Sequence, residues 1–171
     1  MLMTQLTPPV TSFPARHRGA IVMGVAASDA HVVANHLIAM YLRRLGFNVV
    51  NLGACTPTED FMRAASSCDD LVAVVIGSLN GHALDDLADL PTLKFQYQVT
   101  VPIVVGGNLS VGAIKSDEVL EKLTALGVDC VLSHPAQLID ALRSLGWQDP
   151  GLEPLPHIPF PQSSQKVLQN V

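Results

Sequence analysis

The chain has 171 residues, of which 49% are hydrophobic and only 15% charged, with a mean hydropathy of +0.35. Its formal net charge is −5 and no Lys/Arg cluster occurs, which argues against a nucleic-acid binder, and no stretch is long enough to span a membrane. The size suits one ordinary domain. The apolar composition suits a parallel sheet buried on both faces, whose strands read as continuous Val, Ile and Leu runs, with some apolar surface left for a partner or a large ligand.

Residues 1–18 carry Pro and Thr, lack the apolar segment of a signal peptide, and read as a flexible arm. Strand one is 19–26, around Ala20-Ile21-Val22-Met23-Gly24-Val25-Ala26. A helix at about 33–45 puts Val33, Leu37, Met40, Tyr41 and Leu45 on one face and stops at Gly46. Strand two is 47–52. Thr56-Pro57-Thr58-Glu59 then combines a capping box with Pro at the first helical position, and this second helix runs to about Ser67. Strand three is 71–76; a helix from about 83 must break or restart at Pro91. Strand four is 102–105, followed by Gly106-Gly107-Asn108. Ser116-Asp117-Glu118 opens a helix that ends at Gly127, strand five is 129–132, and a last helix spans about 136–145. Residues 148–171 form a Pro-rich tail without periodicity, expected to add little to the fold. The domain proper is thus 19–147.

Five βα units of this length predict an α/β fold of the flavodoxin-like, doubly wound type: a five-stranded parallel sheet of order 2-1-3-4-5. The switch point then lies between strands one and three, where ligands bind at the carboxyl ends. Asp29 and His31 follow strand one, Gly77-Ser78-Leu79 follows strand three, and Gly106-Gly107 follows strand four, so all surround one crevice. Glycines there let something bulky approach the backbone.

The occupants of such a crevice narrow quickly. There is no G-x-G-x-x-G after strand one and no P-loop. Ile76-Gly77-Ser78 stands where a phosphoacceptor Asp would be, and Asp29 and His31 stand where a flavin phosphate loop would be. His17, His36, His82, His134 and His157 make no spaced zinc set. Cys55, Cys68 and Cys130, an odd number with no C-x-x-C, read as free thiols of a cytoplasmic protein. An Asp two residues before a His can hold one ring nitrogen and leave the other for a metal. One such ligand suits a corrinoid, which brings four equatorial nitrogens of its own.

At this point the residues resemble a family: the cobalamin-binding subunits and domains of adenosylcobalamin-dependent mutases, and among them the small subunits of glutamate mutase (methylaspartate mutase). The resemblance rests on Ser28-Asp29-Ala30-His31, on 46–53, on Ser78-Leu79-Asn80-Gly81 and on 105–112, across about 19–145. It implies that His31 is the lower axial ligand to cobalt and that Asp29 orients it. It implies that Ser28, Ala30, Val32, Gly77, Ser78, Leu79, Gly106, Gly107, Asn108, Leu109, Ser110, Val111 and Gly112 complete the cofactor site. The cofactor's displaced nucleotide tail would enter the crevice between strands one and three.

The resemblance further implies a larger TIM-barrel subunit that covers the corrin, holds glutamate and shares in its conversion to L-threo-3-methylaspartate. Three positions depart from the family pattern. Ala34 replaces the glycine of D-x-H-x-x-G, Gly77 replaces the serine of S-x-L, and Ser133-His134-Pro135 replaces a glycine-containing turn. A corrinoid carrier or sensor is the alternative, although such relatives carry a helical bundle before this fold and about 18 residues here are too few for one. A degenerate domain kept for its partner interface is a third reading. The rim offers Asp29, Ser78, Asn80, His82 and Asn108 but no arginine pair for two carboxylates, so no turnover is expected from this chain alone.

Overall fold

The computed structural model describes residues 17–109 and 116–150; the readings of the arm before His17, of the tail after Pro150, and of Ser110, Val111 and Gly112 lie outside them. Five strands, β1 (Ala20–Val25), β2 (Asn48–Asn51), β3 (Leu71–Ser78), β4 (Ile103–Gly107) and β5 (Cys130–Leu132), form one sheet of order β2-β1-β3-β4-β5. Every pairing is parallel. The predicted order holds, and β3 and β4 run past their expected ends, so that Gly77 pairs with Gly106 and Ser78 with Gly107.

Among the described residues six α-helices cover the sheet: α1 (Val32–Arg44), α2 (Thr58–Ser66), α3 (Ala83–Asp86), α4 (Leu90–Gln96), α5 (Ser116–Ala125) and α6 (Leu138–Ser144). Side chains alternate between the two faces of a strand. Val22, Val74, Ile76, Ile103 and Val105 therefore point to one side, where Phe61, Met62, Leu87, Leu90 and Leu123 from the α2–α5 segment close over them. Ile21, Met23, Ala73, Val75 and Val104 point to the other, against Ala39 and Leu42 of α1 and Leu138, Ile139 and Leu142 of α6. No helix among the described residues is long and apolar enough to cross a membrane.

Four local expectations change. First, α1 does not pack through its most apolar stripe. Tyr41 and Leu45 join the core, but Val33 and Met40 are 62% and 58% exposed, while Asn35, Ala39 and Leu42 are buried. The helix turns its slimmer side toward the sheet. Second, the capping box at Thr56 does not form, and Pro57 is the N-cap of α2. Thr56 is still in a parallel bridge with Ala26; its amide donates to Val25 O at 2.9 Å, so its backbone has not yet turned into the helix. Glu59 instead accepts from the Tyr97 hydroxyl at 2.6 Å and pairs with Arg63.

Third, Ser133-His134-Pro135 is a capping device. His134 Nδ1 accepts from the Ala136 amide and Gln137 Oε1 accepts from the His134 amide, opening a 3₁₀ turn that leads into α6. Fourth, two residues assigned to the arm and tail belong to the folded unit. Arg18 is 4% exposed, donates from Nε to Leu45 O at 2.8 Å, and forms an ion pair with Asp149. Trp147 lies against Phe47 and donates to Arg18 O at 3.1 Å. Pro91 behaves as expected, sitting in the first turn of α4 after α3 has ended.

Candidate functional site

The loop from β1 to α1 is built around one carboxylate. Asp29 has no solvent exposure. Its Oδ1 accepts from the His31 amide at 2.9 Å and lies 2.5 Å from His31 Nδ1, while its Oδ2 accepts from the Leu79 amide beyond β3. Burial pushes the carboxyl pKa up, but the hydrogen bonds from Leu79 and His31 outweigh it and hold Asp29 below its ordinary value. An ionised Asp29 accepts a proton-bearing Nδ1, which leaves the lone pair on Nε2. The His31 side chain is 35% exposed, so the ring is held on one side and open on the other.

The loop is clamped on further sides. Cys55 donates its amide to Asp29 O at 3.0 Å. Asn80 Nδ2 donates to Ser28 O and Ser28 Oγ at 2.8 and 2.7 Å, and Ser28 Oγ donates to Asp86 at 2.7 Å. The switch point is thus a cross-linked rim. Such support is what holds a metal ligand in place.

Beside His31 opens a cavity of about 280 Å³. It lies on the α1/α6 side of the sheet. Met23, Val75, Gly77 and Gly106 form its floor, Ala34, Asn35 and Ile38 of α1 one wall, and His134, Pro135 and Leu138 the other. That volume sits near the lower end for small-molecule sites, ~300–1,000 Å³. It is room for one flat aromatic group and not for a whole corrinoid.

The glycines of the rim do different jobs. A Cβ on Gly107 would collide with the Ser78 carbonyl, and its φ of +125° favours glycine anyway, so this residue is required by the backbone. A Cβ on Gly77 or Gly106 would meet neighbours no nearer than 3.6 and 3.5 Å. The fold tolerates a side chain at both, and its absence deepens the cavity.

Of the residues singled out from sequence, His31, Gly77, Leu79, Gly106, Gly107 and Asn108 line this cavity. Ser28, Asp29, Ala30, Val32 and Ser78 do not; Ser28 and Asp29 support the rim from behind. Ser78 alternates to the opposite face of β3 from Gly77, is 1% exposed, and turns its hydroxyl toward Asn80. Leu109 borders a separate groove beside β5. Sequence reasoning missed Asn35, Ile38 and Leu138. The signal was there: 31, 34, 35 and 38 follow the i, i+3, i+4, i+7 spacing of one helical face. Among the described residues no three His, Cys, Asp or Glu side chains converge on a metal position.

Fold and site together define a B12-binding domain: residues 19–142 match that family. Within it the chain belongs with the sigma subunits of glutamate mutase. It is 41% identical over 127 residues to the glutamate mutase sigma subunit of Halobacterium salinarum, covering 72% of this chain and 85% of that one. It is 35% identical, over the same shares, to glutamate mutase sigma subunit 2 of Haloarcula marismortui. Among solved structures, the methanol:cobalamin methyltransferase complex MtaBC from Methanosarcina barkeri matches with a TM-score of 0.62 at 19% identity, over 81% of this chain and 51% of that one. That likeness concerns the fold alone.

Proposed function

We propose that this chain is the cobalamin-binding subunit of an adenosylcobalamin-dependent carbon-skeleton mutase, interconverting L-glutamate and L-threo-3-methylaspartate together with a larger TIM-barrel subunit in the cytoplasm. The observation that carries the reading is the Asp29–His31 pair at the mouth of an apolar cavity whose floor lacks side chains at Gly77 and Gly106. A cofactor with a flat aromatic tail and one free axial position fits both halves of that arrangement.

In this reading His31 Nε2 would hold the cobalt from this chain's side. Asp29 keeps the proton on Nδ1 and keeps the ring from swinging. Gly77, Leu79, Gly106, Gly107 and Asn108 would receive the nucleotide tail; Ser28, Ala30, Val32, Ser78 and Leu109, together with Ser110, Val111 and Gly112 outside the described residues, are proposed for the wider cofactor site. Adenosylcobalamin supplies a cobalt–carbon bond whose homolysis starts the radical chemistry. This chain supplies grip, orientation and one wall against water, and the substrate is held by the partner.

The test compares wild type with His31→Ala in cob(II)alamin form, with the barrel subunit added. Nitrogen coupling from histidine is expected in the resonance spectrum of the wild type alone, and identical spectra would refute the assignment. Glutamate-to-methylaspartate conversion is expected only when both chains are present. Turnover by this chain alone would overturn the division of labour, and tight cobalamin binding without activity beside any mutase barrel would move the reading to a corrinoid carrier.

A further inference from the structure

Ser28 is exposed, yet every polar group it has is taken. Its amide donates to the two Asp86 carboxylate oxygens at 3.2 and 3.4 Å. Its hydroxyl donates to Asp86 Oδ2 at 2.7 Å and accepts from Asn80 Nδ2 at 2.7 Å, and its carbonyl accepts from Asn80 Nδ2 at 2.8 Å. Both partners are anchored in turn. Asn80 Oδ1 accepts from the His82 amide at 3.1 Å, which sets the side-chain amide so that Nδ2 faces Ser28. Asp86 ends α3; its amide donates to His82 O at 3.0 Å, and its carbonyl accepts from the Thr58 hydroxyl at 2.6 Å, at the start of α2. Asn80 and Asp86 lie 52 and 58 residues along the chain from Ser28, so this is a tertiary clamp and not a turn closing on itself.

Hydrogen bonds on an exposed serine add little to the stability of a fold, because water competes for the same groups. What they fix is position. Ser28 is the residue before Asp29. His31 is the N-cap of α1 and makes no side-chain capping bond, so helix capping does not hold its ring. Leu79, the neighbour of Asn80, holds Asp29 Oδ2. One loop therefore grips Ser28 and Asp29 in succession, and Asp86 grips Ser28 from α3. We infer that Asp86 is a positioning residue for His31, acting through Ser28 to keep the Asp29–His31 pair from shifting when the ring takes up a metal. The inference rests on the cobalamin reading above. A carboxylate suits the task because it accepts from the amide and the hydroxyl of Ser28 together. A side-chain amide in its place keeps one acceptor oxygen and should restore most of the hold.

The test titrates cob(II)alamin into the wild type, Asp86→Ala, Asp86→Asn, Ser28→Ala and the Ser28→Ala/Asp86→Ala double variant, with the barrel subunit where binding needs it. Absorbance reads affinity, nitrogen coupling in the resonance spectrum reads the fraction ligated by histidine, and melting of the cofactor-free chain reads the fold. Asp86→Ala is expected to bind about fivefold more weakly, with part of the histidine coupling lost and melting close to wild type. Asp86→Asn is expected to return affinity to within about twofold of wild type. The double variant should bind no more weakly than the weaker single one, since both substitutions cut the same connection. Wild-type affinity and full coupling in Asp86→Ala overturn the inference and leave the cobalamin reading intact. A loss that Asp86→Asn does not reduce, or losses that add in the double variant, overturn it as well. Should Asp86→Ala melt far below wild type, Ser28→Ala decides: weakened coupling in a stable chain supports the inference and unchanged coupling overturns it. Failure of the wild type itself to bind or to show histidine coupling overturns the cobalamin reading and this inference with it.

Discussion

The two faces of the sheet are made from the same strands and come to opposite ends. On the α2–α5 side, Phe61, Met62, Leu87, Leu90 and Leu123 are all essentially unexposed, and even Gly24 of β1 is covered, with the Phe61 ring 3.0 Å from where its Cβ would be. On the α1/α6 side the same strands are filled over Ile21, Ala73 and Val104 but hollow over Gly77 and Gly106. The β3–β4 register sets Gly77 beside Gly106, so two missing side chains make one space. A binding site in this fold is thus a local withdrawal of core, placed on one face and at one end of the strands. The opposite face supplies the rigidity that lets the withdrawal persist.

That contrast breaks most visibly on the filled side. Phe61→Ala should cost about 3–5 kcal/mol of unfolding free energy, as buried aromatic truncations do, measured by denaturant unfolding of the cobalamin-free protein. A cost below about 1 kcal/mol would mean that this face is not the tighter one. Gly107→Ala comes next, at about 2–3 kcal/mol, because the new Cβ meets the Ser78 carbonyl and the backbone sits at φ +125°. Circular-dichroism melting is enough to see it.

A smaller effect is expected where the hollow face is tied together at its other end. Arg18 bonds to Leu45 and Asp149, and Trp147 lies on Phe47, so the amino ends of the strands are cross-braced below the cavity. A chain ending at Trp147 loses the Asp149 partner of a nearly buried guanidinium and should lose about 1–2 kcal/mol. A chain ending at Pro150 keeps it and should melt close to the full-length protein. Equal melting of the two truncations would show that the brace contributes nothing.

The architecture was legible because strand runs and Gly stops are local signals, and a five-unit βα sequence leaves few topologies. The clustering of His31, Gly77 and Gly106 followed from topology alone. What escaped was side-chain direction. Of the apolar residues expected to share one face of α1, Val33 and Met40 are exposed, and the buried face holds Asn35. Hydrophobicity ranks faces by composition and cannot see that a wall around a ligand needs small and polar residues. For the same reason Ser78 and Gly77, neighbours in a rim motif, part company: the pleat sends one into the cavity and the other to the far side. Thr56 fits a capping pattern, but its backbone is still bonded to β1, a tertiary contact no local pattern contains.

The subtlest test separates the two kinds of glycine. Gly77→Ala and Gly106→Ala add a methyl group where the nearest atoms stand at ordinary contact distance and φ lies outside the left-handed region. Neither should destabilise the cobalamin-free protein; a gain of about 0.4–1 kcal/mol is expected from the reduced freedom of the unfolded chain. The same methyl groups project into the space assigned to the nucleotide tail, and overfilling a close-fitting site by one carbon costs about 1–3 kcal/mol, or roughly 5- to 150-fold in affinity. Stability and cobalamin affinity should therefore move in opposite directions at Gly77 and Gly106, whereas at Gly107 stability should collapse first. Unfolding measured without cofactor, alongside cobalamin titration of the same preparations, reads both. If Gly77→Ala lowered stability by as much as Gly107→Ala, the hollow would be a packing requirement of the fold. If it left cobalamin affinity unchanged, the tail would have to lie elsewhere.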